Sequence, residues 1–187
     1  MFESERELET RLYNYMINKK INPMNGNSIL SVVRQLNLGE SGIPDLITHE
    51  RDNQNRHFIN VIELKNTKFH PSNISQVTAY MSTIMGAIKF QEVFSVRENQ
   101  IHIFPQAEMD MFPGAKITGS ILVVGQAELD CHLHGLNGLL HLSNVTVYSL
   151  VIEDFELNFV GLADGMPCIG ASENLQRSLG KLKNGAR

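Results

Sequence analysis

Two apolar runs separated by a short polar stretch constrain this chain more than any other feature. Ile43 to His49 and Phe58 to Leu64 are rich in β-branched residues, and the stretch Glu50 to Arg56 between them carries Asp52-Asn53-Gln54-Asn55, good hairpin-loop material. The two runs are predicted to pair antiparallel. A long helix is predicted next, from Ser72 to Lys89, because Ile74, Val77, Met81, Ile84, Met85 and Ile88 recur at helical spacing. Core packing accounts for that stripe, methionines included, without any cofactor.

The hairpin also places charged groups together. Residues near the open end of an antiparallel pair lie side by side, so Asp45, early in the first run, and Glu63, late in the second, should converge. Lys65 follows Glu63 by two positions, so on a continuous strand both project from one face. Two carboxylates and an ammonium at one end of a sheet suit phosphodiester cleavage. Hard Mg²⁺ or Mn²⁺ ions take carboxylate oxygens and water and need few protein ligands. Such an ion polarises the scissile phosphate and generates the attacking hydroxide. A lysine beside that water can orient it, assist its deprotonation, or stabilise the charge developing in the transition state. The rival explanation is a surface salt bridge, since exposed ion pairs often form without function. The Gly42-Ile43-Pro44-Asp45 approach and the two-strand context weigh against it.

Around this centre the chain is parsed more loosely. Glu3 to Lys20 has Leu8, Leu12, Tyr15 and Met16 at helical spacing, with Ser4 as N-cap and Lys19-Lys20 at the C-terminus. Asn22 to Asn27 is a turn-rich break, and Ser28 to Leu38 reads as a second short helix or an irregular apolar segment, closed by Gly39. Strands are expected at Gln100 to Phe104, Ser120 to Gly125, Thr146 to Ile152 and Glu156 to Val160. A helix over Ala127 to His141 is weakened by Gly135 and Gly138. The organisation expected is one domain over 1–162, followed by a Gly-rich, basic, flexible tail over 163–187.

Composition bounds the function. With 187 residues the chain fits one compact domain. No apolar run is long enough to span a bilayer and the first residues are charged, so no membrane partner is expected. Cys131 and Cys168 make no disulfide framework and no CxxC pair, so a cytoplasmic location is the default. The net charge of −4 does not exclude a nucleic-acid partner, because basic residues gather before position 90 and again in the tail. Cys131, His132, His134 and His141 invite a zinc reading but offer no second ligand pair, so ordinary polar roles are preferred. His49 shares a strand face with Asp45; substrate contact is one reading, a plain surface role the preferred one.

With these residues in view, the chain resembles the PD-(D/E)XK nuclease superfamily. Pro44-Asp45 is similar to its PD and Glu63-Leu64-Lys65 to its (D/E)XK, while Gln76-Val77-Thr78-Ala79-Tyr80 resembles the Q-x3-Y motif of the RecB-like branch. The order helix, PD strand, ExK strand and Q-x3-Y helix also matches, and the clear resemblance covers about Glu5 to Lys89. It implies an α/β fold, a restriction-endonuclease-like mixed β-sheet core flanked by α-helices. It further implies a metal held by Asp45, Glu63 and the Leu64 carbonyl, a water positioned by Lys65, and Gln76 and Tyr80 arranging the site or meeting DNA. An acid from the first helix often completes such sites; Glu9 ranks ahead of Glu5, and Glu7 points elsewhere. The expected activity is Mg²⁺- or Mn²⁺-dependent hydrolysis of phosphodiesters, in DNA before RNA. The alternatives are an RNA endonuclease and a non-catalytic nucleic-acid- or protein-binding member of the same fold. A homodimer or a larger protein complex is compatible with the sequence.

Overall fold

The predicted hairpin is present. The structure, a computed structural model, describes residues 4–66, 69–89, 114–124, 142–153, 156–163 and 166–168. Strand β2 (Leu46–Arg51) pairs antiparallel with β3 (His57–Lys65) in a register that sets Leu46 opposite Ile62 and Arg51 opposite His57. The connecting loop is closed by Asp52, whose Oδ1 accepts from the Gln54 and Arg56 amides at 2.9 Å each. Helix α2 spans Ser72–Lys89, the predicted bounds. It leads towards β4 (Lys116–Val124), which lies parallel to β3; a parallel neighbour needs a crossover of this kind.

Helix α1 (Glu5–Lys19) begins at Ser4, whose side chain accepts from the Glu7 amide, and ends at Lys20 in the left-handed region with φ 57°. Beyond β4 come β5 (Val145–Glu153), parallel to β4, and then β6 (Glu156–Ala163) and β7 (Met166–Cys168), each antiparallel to its predecessor. The described strands form one mixed sheet in the order β1-β2-β3-β4-β5-β6-β7, flanked by helices, which is the α/β architecture expected.

One expectation fails outright. The segment read as a short helix or irregular run forms strand β1 (Ser28–Arg34), antiparallel to β2. Its register shifts between Ile29 and Ser31, so Leu30 is the extra residue of a bulge. That shift breaks the two-residue alternation: Ile29 and Val32 pack towards one face, Val33 towards the other. Read without its partner, the spacing therefore passes for helical. The first hairpin strand also starts later than predicted, at Leu46, leaving Asp45 just before it. Pro44 supplies no amide hydrogen, and Gly42 sits at φ 103°.

Side chains alternate across the sheet and form a core on each face. Ile47, Ile59, Val61, Ile121, Val123, Val145 and Val147 pack with Ile74, Val77, Met81 and Ile84 of α2. Leu46, Ile62, Leu64, Leu122 and Leu150 pack with Leu8, Leu12 and Met16 of α1. β3 is buried on both sides, with Ile59, Val61, Ile62 and Leu64 all at 0% exposure. Each such side chain contributes about 1.5–3 kcal/mol by leaving water, so β3 is firmly held in the sheet. It is also the strand that ends in Glu63 and Lys65.

The expected strand over Gln100 to Phe104, the expected helix over Ala127 to His141, and Cys131, His132, His134 and His141 lie outside the described residues. Of the segment 163–187, the structure describes the end of β6 and β7.

Candidate active site

The acids and the lysine meet at the end of β3. Asp45 Oδ2 accepts a hydrogen bond from the Leu64 amide at 2.7 Å, so the residue before β2 is tied to the strand beside it. Its own carbonyl accepts from the Gln35 amide at 3.0 Å, which holds it from the β1 side. Lys65 Nζ donates to Glu63 Oε1 at 2.6 Å. Glu63 Oε2 is buried and has no hydrogen-bond partner, an unusual and costly state for a carboxylate oxygen.

Gln76 and Tyr80, one turn apart on α2, face the same centre. Gln76 Nε2 donates to the Tyr80 hydroxyl at 2.7 Å, and that hydroxyl lies 3.5 Å from the Ile43 carbonyl. Gly42 makes room for the ring: a Cβ there would stand 3.2 Å from Tyr80 Cε1, on a backbone that already favours glycine. The same Gln76 amide, which has two N–H groups, also favours the charged form of Glu63 by hydrogen bonding from close by.

The charges explain the proton affinities. Burial, reinforced by Glu63 and Glu9 and opposed by the Leu64 amide and Lys65, lifts the Asp45 carboxyl to about 6. Burial likewise raises Glu63, with Lys65 opposing and Glu5 assisting. For Lys65, burial acts against the ammonium, but the Glu63 hydrogen bond and the charges of Glu63, Glu5 and Asp45 outweigh it and hold the pKa above the ordinary value. Lys65 is therefore charged at neutral pH and donates to Glu63. Burial raises Tyr80 as well, so its hydroxyl stays protonated.

The two first-helix acids sit differently. Glu5 Oε1 accepts from the Asn66 amide at 3.0 Å, just past β3. Glu9 is 2% exposed and both its oxygens are engaged, by Arg34 Nε at 2.7 Å and Gln35 Nε2 at 2.8 Å. Arg34 and Gln35 carried no signal in the sequence, because the strand that ends at Arg34 was not legible there.

His49 is not a surface residue. It is fully buried, with Nε2 2.9 Å from His57 Nδ1. Glu50, read as the start of the polar loop, is buried too. Its Oε1 accepts from Asn22 at 2.6 Å, Thr48 at 2.5 Å and Asn60 at 3.1 Å, and its Oε2 from Asn25 at 2.8 Å and Asn27 at 3.0 Å. This second carboxylate centre lies at the opposite end of the hairpin from Asp45.

Among the described residues no group of three or more His, Cys, Asp or Glu is arranged to hold a metal ion. The oxygen donors at the end of β3 nevertheless fit a hard cation. Mg²⁺ commonly uses one or two carboxylates and keeps its waters, and the buried Glu63 Oε2 is a carboxylate oxygen outside the Lys65 ion pair.

No protein-family model matches the chain, and no curated protein matches it. Two solved structures do: the restriction endonuclease FokI at 14% identity and FokI bound to DNA at 15%, both with a TM-score of 0.39. Each match covers 81% of this chain but only 24% and 23% of FokI, so the chain spans about a quarter of that protein's length. At this distance the likeness assigns no chemistry to the site.

Proposed function

We propose that this protein is a metal-dependent nuclease of the PD-(D/E)XK type, hydrolysing phosphodiester bonds, in DNA before RNA. The observation that carries the reading is the buried, unpartnered Glu63 Oε2 beside the Asp45 carboxyl and the Lys65 ammonium. A protein that needed only a structural ion pair would satisfy both oxygens of Glu63.

Asp45, Glu63 and the Leu64 carbonyl are the groups that would hold Mg²⁺ or Mn²⁺. When bound, such an ion supplies neutralising charge at the scissile phosphate and makes water a stronger acid. The chain's own residues do the rest. Lys65, kept charged by its acidic neighbours, donates a hydrogen bond to the attacking water or to the phosphate oxygen on which charge develops. The Leu64 amide holds Asp45 in place, and Gln76, braced by Tyr80, steadies the Glu63 side. Ile59 and Val61 of β3 pack in one core cluster with Ile74, Val77, Met81 and Ile84 of α2.

The test is incubation of end-labelled single- and double-stranded DNA and RNA with Mg²⁺, Mn²⁺ or EDTA, comparing wild type with Lys65→Ala. Cutting is expected with metal only, and to fall by about 10²-fold or more in the variant, the scale of one lost transition-state donor. A wild type that binds nucleic acid but cuts none of these substrates in either metal points instead to a non-catalytic binding protein.

A further inference from the structure

Arg34 ends β1, the edge strand of the described sheet, opposite Leu46, and the next residue's amide is bonded to the Asp45 carbonyl. Its guanidinium is joined to the candidate active site through Glu9, which it bonds and whose charge acts on Asp45. It is held from three sides: Nε donates to Glu9 Oε1 at 2.7 Å, Nη2 to Thr10 Oγ1 at 3.3 Å, and its plane lies over Tyr13, 5.0 Å from the ring centroid. A guanidinium has five N–H groups in a fixed fork. Two are used here; the others have no partner among the described residues, and the side chain is 34% exposed.

Glu9 is built for this arrangement. It is all but inaccessible, and Gln35 takes the oxygen that Arg34 leaves. Turning Glu9 towards a cation beside Asp45 would break a largely buried ion pair and strip a carboxylate of both donors, a heavy penalty. Turning the outer edge of Arg34 towards an anion breaks nothing.

We propose that Arg34 binds a non-scissile backbone phosphate of the substrate, and that Glu9 is a positioning residue acting through Arg34 rather than a metal ligand. The substrate class rests on the nuclease reading above. A guanidinium pinned at Nε and stacked on a tyrosine presents its free edge in one orientation, the geometry in which arginine grips phosphate oxygens best. Its place at the rim of the Asp45 side would register the strand before the chemistry begins.

The experiment separates binding from cutting. Anisotropy of labelled single- and double-stranded DNA and RNA is measured in EDTA across a salt series, for wild type, Arg34→Ala, Arg34→Lys, Glu9→Gln and the Arg34→Ala/Glu9→Gln double variant. Arg34→Ala is expected to weaken binding about tenfold, the loss of one charge-assisted contact, and to reduce the salt slope by about one. Arg34→Lys recovers part of the affinity, as a point charge. Glu9→Gln weakens binding by itself but adds nothing to Arg34→Ala. In parallel, Mn²⁺ calorimetry should show Glu9→Gln binding as wild type does while Asp45→Asn does not. Arg34→Lys and Glu9→Gln preserve shape and carry the test if Arg34→Ala fails to fold. Wild-type affinity and salt slope in all Arg34 variants, or no binding by wild type, overturns the assignment; so does loss of Mn²⁺ binding in Glu9→Gln. Arg34-dependent binding without cleavage in any metal would sink the nuclease reading and leave Arg34 in place, whereas cleavage with no Arg34 effect does the reverse.

Discussion

At the residue scale the candidate site is an assembly of charges whose burial is costly. Asp45 keeps its proton to about 6, against an ordinary value of 3.8. A carboxyl whose folded pKa is raised stabilises the fold below its unfolded value, and that contribution is lost as pH rises through the window 3.8 to about 6. Asp45→Asn is thus expected to melt above wild type at pH 7.5 in EDTA, with the gap closing below pH 4; thermal melts over a pH series read both ends. The same proton competes with a cation, so Mn²⁺ affinity should fall as pH drops below about 6, and calorimetry at pH 7.5 and 5.5 measures it. The Asp, Glu and Lys of this candidate site were legible from the hairpin context, the Gly-Ile-Pro-Asp approach and the two-residue step from Glu63 to Lys65. Glu9's partners were not, because Arg34 and Gln35 reach it only after a bulged strand has been laid down.

At the element scale the position of α2 decides where Gln76 and Tyr80 stand. Gly119 of β4 is the closest approach beneath that helix: a Cβ there would lie 2.5 Å from Val77 Cγ1, 2.9 Å from Met81 Sδ and 3.0 Å from Val145 Cγ2. Gly119→Ala should cost about 1–3 kcal/mol through overpacking. The expected reading is a lower urea midpoint at unchanged slope. Because Val77 neighbours Gln76, a displaced helix should also lower the proposed nuclease activity at temperatures where the variant is still folded. The helix itself was readable from its apolar period; the strand beneath it, and the glycine that lets the two meet, became meaningful only as a pair.

At the scale of the whole molecule, two carboxylate centres occupy opposite ends of one hairpin and differ in kind. Asp45 and Glu63 sit with an ammonium and an unsatisfied oxygen. Glu50 sits among neutral donors from the 22–27 turn, β2 and β3, all its oxygens engaged. The orientation of those amides is set, since Asn22 Oδ1 accepts from the Met24 amide at 2.9 Å and Asn25 Oδ1 from the Asn27 amide at 3.0 Å. Glu50→Gln therefore turns an amide donor against donors that cannot flip, and should destabilise by about 1–3 kcal/mol. Calorimetric melting checks this. A variant as stable as wild type would show that the centre does not tie the turn to the sheet.

The sequence by itself determined the pieces whose physics is local. A hydrophobic period and an N-cap made the helices, a polar loop between β-branched runs made the hairpin, and the two-residue step between Glu63 and Lys65 set them on one face. Tertiary structure decided what depends on partners distant in the chain. Ser28 to Arg34 became a strand because β2 offered it an edge, and the bulge erased the alternation that would have announced it. Glu50 and His49 became buried because the turn at 22–27 and His57 supplied donors and contacts that no short window contains. Glu9 is met by Arg34 and Gln35 through the same cause: a charged side chain is surrounded by groups that are assembled only when the sheet is.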